Sequence, residues 1–200
     1  MDDIVRQAMA KWPNVPDCYG WLGLDCRGHW YMRDDAAQVS GSFASGFPGA
    51  KGSLLRHEKL IEFIHRNYAC DAKGQWFFQN GPQRVFVELE ATPWIWRISE
   101  NKVIQAQTGA NTSYRQAWVD ARGHVYLETD LGIGLVHTLD VEQVADALEA
   151  GLWTVMDIEQ SALAKSFGFV PSPFAMHEEL TSGNYFKPKH QNDDKPNGGP

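Results

Sequence analysis

The amino-acid sequence predicts an α+β fold, an antiparallel β meander or partial barrel with peripheral helices. Three observations carry this expectation. Short alternations of apolar and polar residues, bounded by Gly, Pro, Asn and Asp, recur along the chain, which is the chemistry of strands and tight turns. A few separate stretches place apolar residues at helical spacing instead. One seven-residue pattern of Asp, small, basic, Gly, polar, apolar, aromatic occurs three times, at Asp25–Tyr31, Asp71–Phe77 and Asp120–Tyr126, as an internal repeat of a turn plus the strand leaving it. With 200 residues and 43% hydrophobic content the chain can bury a sizeable core. The expectation is a single compact domain over 1–183, with a place for subdivision near 99–113. Eight Trp, six Tyr and ten Phe make that core aromatic.

Taken in order, Ile4, Val5, Ala8, Met9 and Trp12 predict an amphipathic helix docked by Trp12 and stopped by Pro13. Tyr19–Leu24 and His29–Arg33 read as two strands joined by a turn in which Gly28 is left-handed. Asp34–Gly52, rich in Gly, Ser and Ala, reads as a long loop. From Ser53 as N-cap, a helix places His57, Leu60, Ile61, Ile64 and Tyr68 on one face. Gln75–Ile98 reads as a three-stranded meander whose last two strands pair with Val87 opposite Trp96 or Ile98. Val103–Gln107, Tyr114–Val119, His124–Glu128 and Gly134–Thr138 are further strands. Asp140 with Gln143 forms a capping box for a helix with the stripe Val141, Val144, Ala145 and Leu148, ended by Gly151. Asp157 with Gln160 starts a shorter helix that Gly168 ends. Beyond Gly183 the composition of Lys, Asn, Asp, Pro and Gly predicts a disordered tail over 184–200.

In the repeated pattern the Asp accepts hydrogen bonds from amides of its own turn and the Gly supplies positive φ. The second copy follows directly on a helix ending near Tyr68, so only the turn and the outgoing strand recur in all three. Trp30, Trp76 and Val125 form one column of equivalent positions, and Met32, Phe78 and Leu127 another, both expected to face the core. Alternation sends Tyr31, Phe77 and Tyr126 to the other side, as a second core layer under the helices of 54–68 and 141–150 or as a contact surface. The helix, the turn at Asp71–Gly74, the aromatic segment Gly74–Glu90 and the following Thr92–Ile98 resemble an uncharacterised bacterial family of about this length assembled from repeated small α+β motifs. The resemblance covers most of residues 18–150 in layout. It implies the fold and brings no catalytic residue with it.

A formal net charge of −7, with the basic residues scattered, disfavours nucleic acid. No apolar run is long enough to cross a membrane, and the start MDDIVRQAMAKW lacks a basic region followed by an apolar one, so the expectation is a cytoplasmic protein off the membrane. Cys18, Cys26 and Cys70 are odd in number and lack metal-site spacing, which points to free buried thiols, no metal and no cofactor. His137, just ahead of the helix at Asp140, is an anion-binding or acid–base candidate with Asp130 nearby. Glu88 and Glu90 share a strand side and read as a solvated face, while His57 and His65 lack the spacing of a metal pair. His29 and His124 read as polar turn residues, and no GxSxG elbow is present. The leading functional expectation is a non-catalytic binding or regulatory module, self-associating or with a protein partner, contacting through Tyr31, Phe77, Tyr126 and His137. The alternative is a small enzyme with a cleft around His137, Asp130 and Glu88.

Overall fold

Strand alternation resolves into two sheets in the computed structural model, which describes residues 1–183. The first contains β1 (Cys18–Leu24), β2 (Trp30–Met32), β3 (Ser53–Leu54), β4 (Tyr68–Cys70), β5 (Trp76–Asn80) and β6 (Gln83–Leu89), in the spatial order β3-β2-β1-β6-β5-β4. The second contains β7 (Trp94–Ile98), β8 (Ile104–Ala106), β9 (Asn111–Thr112), β10 (Tyr114–Val119), β11 (Val125–Thr129), β12 (Gly132–Val136) and β13 (Val155–Asp157), in the order β13-β10-β11-β12-β7-β8-β9. Both sheets are curled, one into a half-barrel, and the fold is α+β. Three pairings are parallel, β1 with β6, β12 with β7 and β10 with β13, so the sheets are mixed and not a simple meander.

The expected pairing of Val87 with Trp96 or Ile98 is not formed. Val87 lies opposite Leu22 of β1, and Trp96 lies opposite Ala106 and Val136. The chain changes sheets between Leu89 and Trp94. Pro93 has no N–H with which to extend a ladder. Thr92 instead ties the crossover to the second sheet, its hydroxyl donating to the Trp94 carbonyl and accepting the Leu135 amide at 2.8 Å each.

The three turns share one hydrogen-bond scheme. Asp25, Asp71 and Asp120 each accept, on one carboxylate oxygen, the amides two and four residues ahead at 2.8–2.9 Å. Gly28, Gly74 and Gly123 sit at φ 83°, 80° and 82°, where a side chain would be strained. The second copy is also a complete hairpin, because Tyr68–Cys70 is a strand and not the end of a helix.

Six α-helices occur among the described residues: α1 (Asp3–Lys11), α2 (Asp35–Ser40), α3 (Glu58–Arg66), α4 (Val141–Glu149), α5 (Leu163–Phe167) and α6 (Pro173–Gly183). α1 docks through buried Val5, while Trp12 is half exposed. The 34–52 segment is not all loop, since the Asp34 carboxylate caps α2 at the Ala37 amide. Ser53 does not cap α3. It pairs with Met32 in β3, and His57 caps the helix instead, its Nδ1 accepting the Leu60 amide. The Asp140 capping box also fails, because the carboxylate turns to Arg97 and the Ile98 amide and Gln143 accepts from Lys102. α5 ends on left-handed Gly168 as expected. α6 has no counterpart among the sequence expectations, and the disordered tail expected over 184–200 lies outside the described residues. One core cluster joins the sheets through Leu22, Phe78 and Ile64 on one side and Ile95, Tyr126 and Leu135 on the other. A second lies between the second sheet and α4.

Candidate functional site

α3 packs on one face of the first sheet, chiefly against β5, with Leu60 and Ile64 turned toward the cavity beneath it. A helix is about 10 Å wide, whereas the four strands β2-β1-β6-β5 at about 4.8 Å spacing span more than that. The coverage is therefore partial. Trp21 and Met32 remain 40% and 45% exposed at the uncovered side, and between them and the helix lies a cavity of about 240 Å³. Its walls are Cys18, Trp21 and Leu22 of β1, Met32 of β2, Leu60 and Ile64 of α3, Phe78 and Asn80 of β5 and Val85 of β6. The register of β1 against β6 slips between Cys18 and Leu22, at left-handed Gly20. That irregularity lets the adjacent residues Trp21 and Leu22 both border the cavity.

Chemically the site is apolar and uncharged. Its polar side chains are exposed Asn80 at the mouth and the half-buried Cys18 thiol. Burial pushes the Cys18 thiol above its ordinary pKa, so it reacts more slowly than an exposed thiol. The arrangement can desolvate an apolar group and offer it one amide for orientation.

The residues singled out from sequence lie elsewhere. Tyr31 is half-buried on the face of the first sheet away from α3, edge-on to Phe43. Phe77 packs against Phe86 with the Arg84 guanidinium over its ring, and is 8% exposed. Tyr126 is 2% exposed and donates its hydroxyl to Asp120 at 3.0 Å. Phe77 and Tyr126 are thus covered by the chain itself and have little area to give a partner. Met32, placed by alternation in a core column, borders the cavity mouth instead, because β2 lies toward the edge of its sheet.

His137 accepts the Leu139 amide on Nδ1, and burial together with nearby Arg97 pushes its pKa down. Asp130 pairs with Arg115 at 2.7 Å in the turn before β12, whereas His137 follows the far end of that strand, roughly 20 Å away at strand rise. Glu88 belongs to the other sheet. It is not solvated but 2% exposed, accepting the Ser172 hydroxyl at 2.5 Å and the Phe174 amide at 3.0 Å at the start of α6. Burial outweighs these bonds and raises its pKa. No cleft brings His137, Asp130 and Glu88 together.

Glu90, the companion of Glu88, is tied to Lys51 and held below its ordinary pKa despite burial. His29 and His124 contact Asp25 and Asp120 through Nδ1, the geometry of an oriented acid–base histidine. The third turn decides against that reading, because Gln75 makes the same contact to Asp71 through an amide that cannot transfer protons. The contact is a lock on the turn. Cys18 and Cys26 are half-buried and Cys70 is exposed, all three as free thiols. Among the described residues no group of three His, Cys, Asp or Glu is placed to hold a metal, and no helix is long and apolar enough to cross a membrane.

Sequence reasoning did not find the cavity residues Cys18, Trp21 and Met32. Gly20 was the available signal, since an isolated Gly inside a strand pattern marks a bulge.

The family model DUF2944, described as "Protein of unknown function (DUF2946)", matches residues 1–174. Among solved structures, the chain is similar to a DUF1285 family protein from Shewanella baltica OS155, at 14% identity over 63% of this chain and 91% of that one, with a TM-score of 0.41. It is also similar to a DUF1285 family protein from Silicibacter pomeroyi DSS-3, at 11% identity over 73% of this chain and 84% of that one, with a TM-score of 0.43. No curated protein matches.

Proposed function

We propose that the chain, which belongs to the DUF2944 family of proteins of unknown function, is a non-catalytic binding module for a small uncharged apolar molecule, or for the apolar end of a larger one. The observation that carries this reading is the cavity of about 240 Å³ under α3, walled by apolar side chains and open beside Trp21 and Met32. Apolar cavities of this scale stay dry and take up hydrocarbons, as an engineered cavity of about 150 Å³ takes up benzene. Burying a methylene group is worth about 0.8 kcal/mol. A six-carbon chain therefore gains about 5 kcal/mol before association costs, enough for weak reversible binding. Free thiols support a reducing, cytoplasmic setting for this function.

The Cys18 thiol gives the test its readout. In a Cys26→Ser, Cys70→Ser background, the alkylation rate of Cys18 is measured against increasing straight-chain alcohols from hexanol to decanol. Saturable protection, with affinity that grows with chain length and then levels off as the cavity fills, supports the reading. If no alcohol protects Cys18 saturably, the cavity is not a binding site.

A further inference from the structure

We infer that the hydrogen bond between Trp30 and His65 is a proton-sensitive latch that holds α3 over the cavity, so that acid loosens the helix and releases the ligand. The inference rests on the binding reading for its second half and on hydrogen-bond chemistry for its first. Trp30 Nε1–H lies 2.9 Å from His65 Nε2. An indole N–H only donates, so His65 Nε2 must hold a lone pair and the ring proton must sit on Nδ1. Protonation places an N–H on both ring nitrogens and turns acceptor into donor, leaving two N–H groups facing each other. Trp30 cannot give way, because it is 2% exposed, paired through β2 with Leu24, and edge-on to Tyr68. Its N–H would also be left buried without a partner, which is costly. The ring that moves is therefore His65.

His65 belongs to the last turn of α3, next to Ile64 and five residues after Leu60, and both of those wall the cavity. A displaced His65 ring carries that turn with it and opens the cavity roof. Burial, and not the neighbouring charges, favours the neutral imidazole. Glu62, on the same helix, draws a proton toward it, and Arg66 on that helix is engaged with Asp2. From β2 comes Trp30, and from β4 comes Tyr68, whose buried hydroxyl donates to the Pro93 carbonyl and resists ionising. Neither carries charge. Burial of the ring outweighs Glu62 and lowers its pKa. A histidine with a lowered folded pKa contributes stability that is present above its unfolded value, about 6.5, and is lost as pH falls below that value.

The test uses the whole chain, with 1-decanol as probe. The His65 ring and the Trp30 indole N–H are followed by NMR, amide exchange is read along α3, and decanol affinity is titrated against pH. Between about pH 7.5 and about pH 5, either side of the ordinary imidazole pKa, the wild type should bind decanol several-fold more weakly, and its α3 amides should exchange faster. His65→Gln keeps an acceptor that does not titrate, so both properties should stay flat. Trp30→Phe removes the donor, so His65 should titrate nearer its ordinary value and the pH dependence should vanish. The inference is overturned if α3 exchange in the wild type ignores pH, or if His65→Gln keeps the acid loss. Exchange and His65 titration need no ligand, so failure of decanol to bind at any pH sinks the binding reading and ligand release while exchange still decides the latch.

Discussion

α3 and α4 are both nine residues long and both pack on a sheet, yet one covers a cavity and the other closes a solid core. Under α4 the contact residues are small or slim, with Val144 and Ala147 at 1% and 0% exposure. They meet Trp96, Leu127 and Ala117, which are equally inaccessible. Gly134 completes the fit, since a Cβ there would overlap the Trp96 indole. Large rings stand over small residues, and the layer interdigitates. Under α3 only Ile64 is fully buried, and Leu60, Ile61 and Phe63 are half covered. The strands beneath offer Leu22, Phe78 and Val85, all branched or aromatic, and the slip in β1 leaves Trp21 at the mouth. The cavity is therefore set by what the strands present and not by the helix alone. Changes in the second sheet should cost stability only, whereas changes in the first can trade stability against binding.

The sharpest contrast comes from Gly134→Val. With Trp96 and the Trp94 Cβ in the way, the variant should lose about 3 kcal/mol or more, read by urea unfolding, and expression only as insoluble protein is the same outcome in stronger form. A well-folded Gly134→Val protein would show that the second core is as loose as the first.

A smaller effect separates the hairpins. Gly74 and Gly123 share the same left-handed φ, but a Cβ on Gly74 would run into the Gly168 carbonyl, while nothing lies within 4 Å of one on Gly123. Gly123→Ala should cost the backbone strain alone, roughly 1–2 kcal/mol. Gly74→Ala should cost at least about 1 kcal/mol more, because the 168–170 segment, bonded to Gly74 through the Val170 amide, has to move. Equal losses would mean that the second turn is as free as the third.

The turns were legible in the sequence because their chemistry is local. Asp, Gly and the strand after them satisfy one another within five residues, whatever the sheet around them does. The helices were legible as periodicity but not at their ends. Ser53 and Asp140 both carry a helix-start signal, and both are claimed by distant partners, Met32 in one case and Arg97 with the Ile98 amide in the other. Glu88 alternates as an outward residue and is then buried by α6, a helix that no periodicity in the sequence announces. Strand order was the least legible feature. β6 pairs in parallel with β1 across more than sixty residues, and no turn chemistry announces such a partner. The cavity depends on that pairing, so it could not be read before the sheet was known.

Val85→Phe tests whether the space under α3 is a real void that serves binding. Val85 is half-buried in the cavity wall, opposite Cys18 and Phe78. A larger side chain there should fill existing space, leaving stability unchanged or raised by up to about 2 kcal/mol, and should abolish protection of Cys18 by decanol. The contrary results are a loss of about 2 kcal/mol or more, as expected for overpacking a closed core, or decanol protection that persists in a stable Val85→Phe protein.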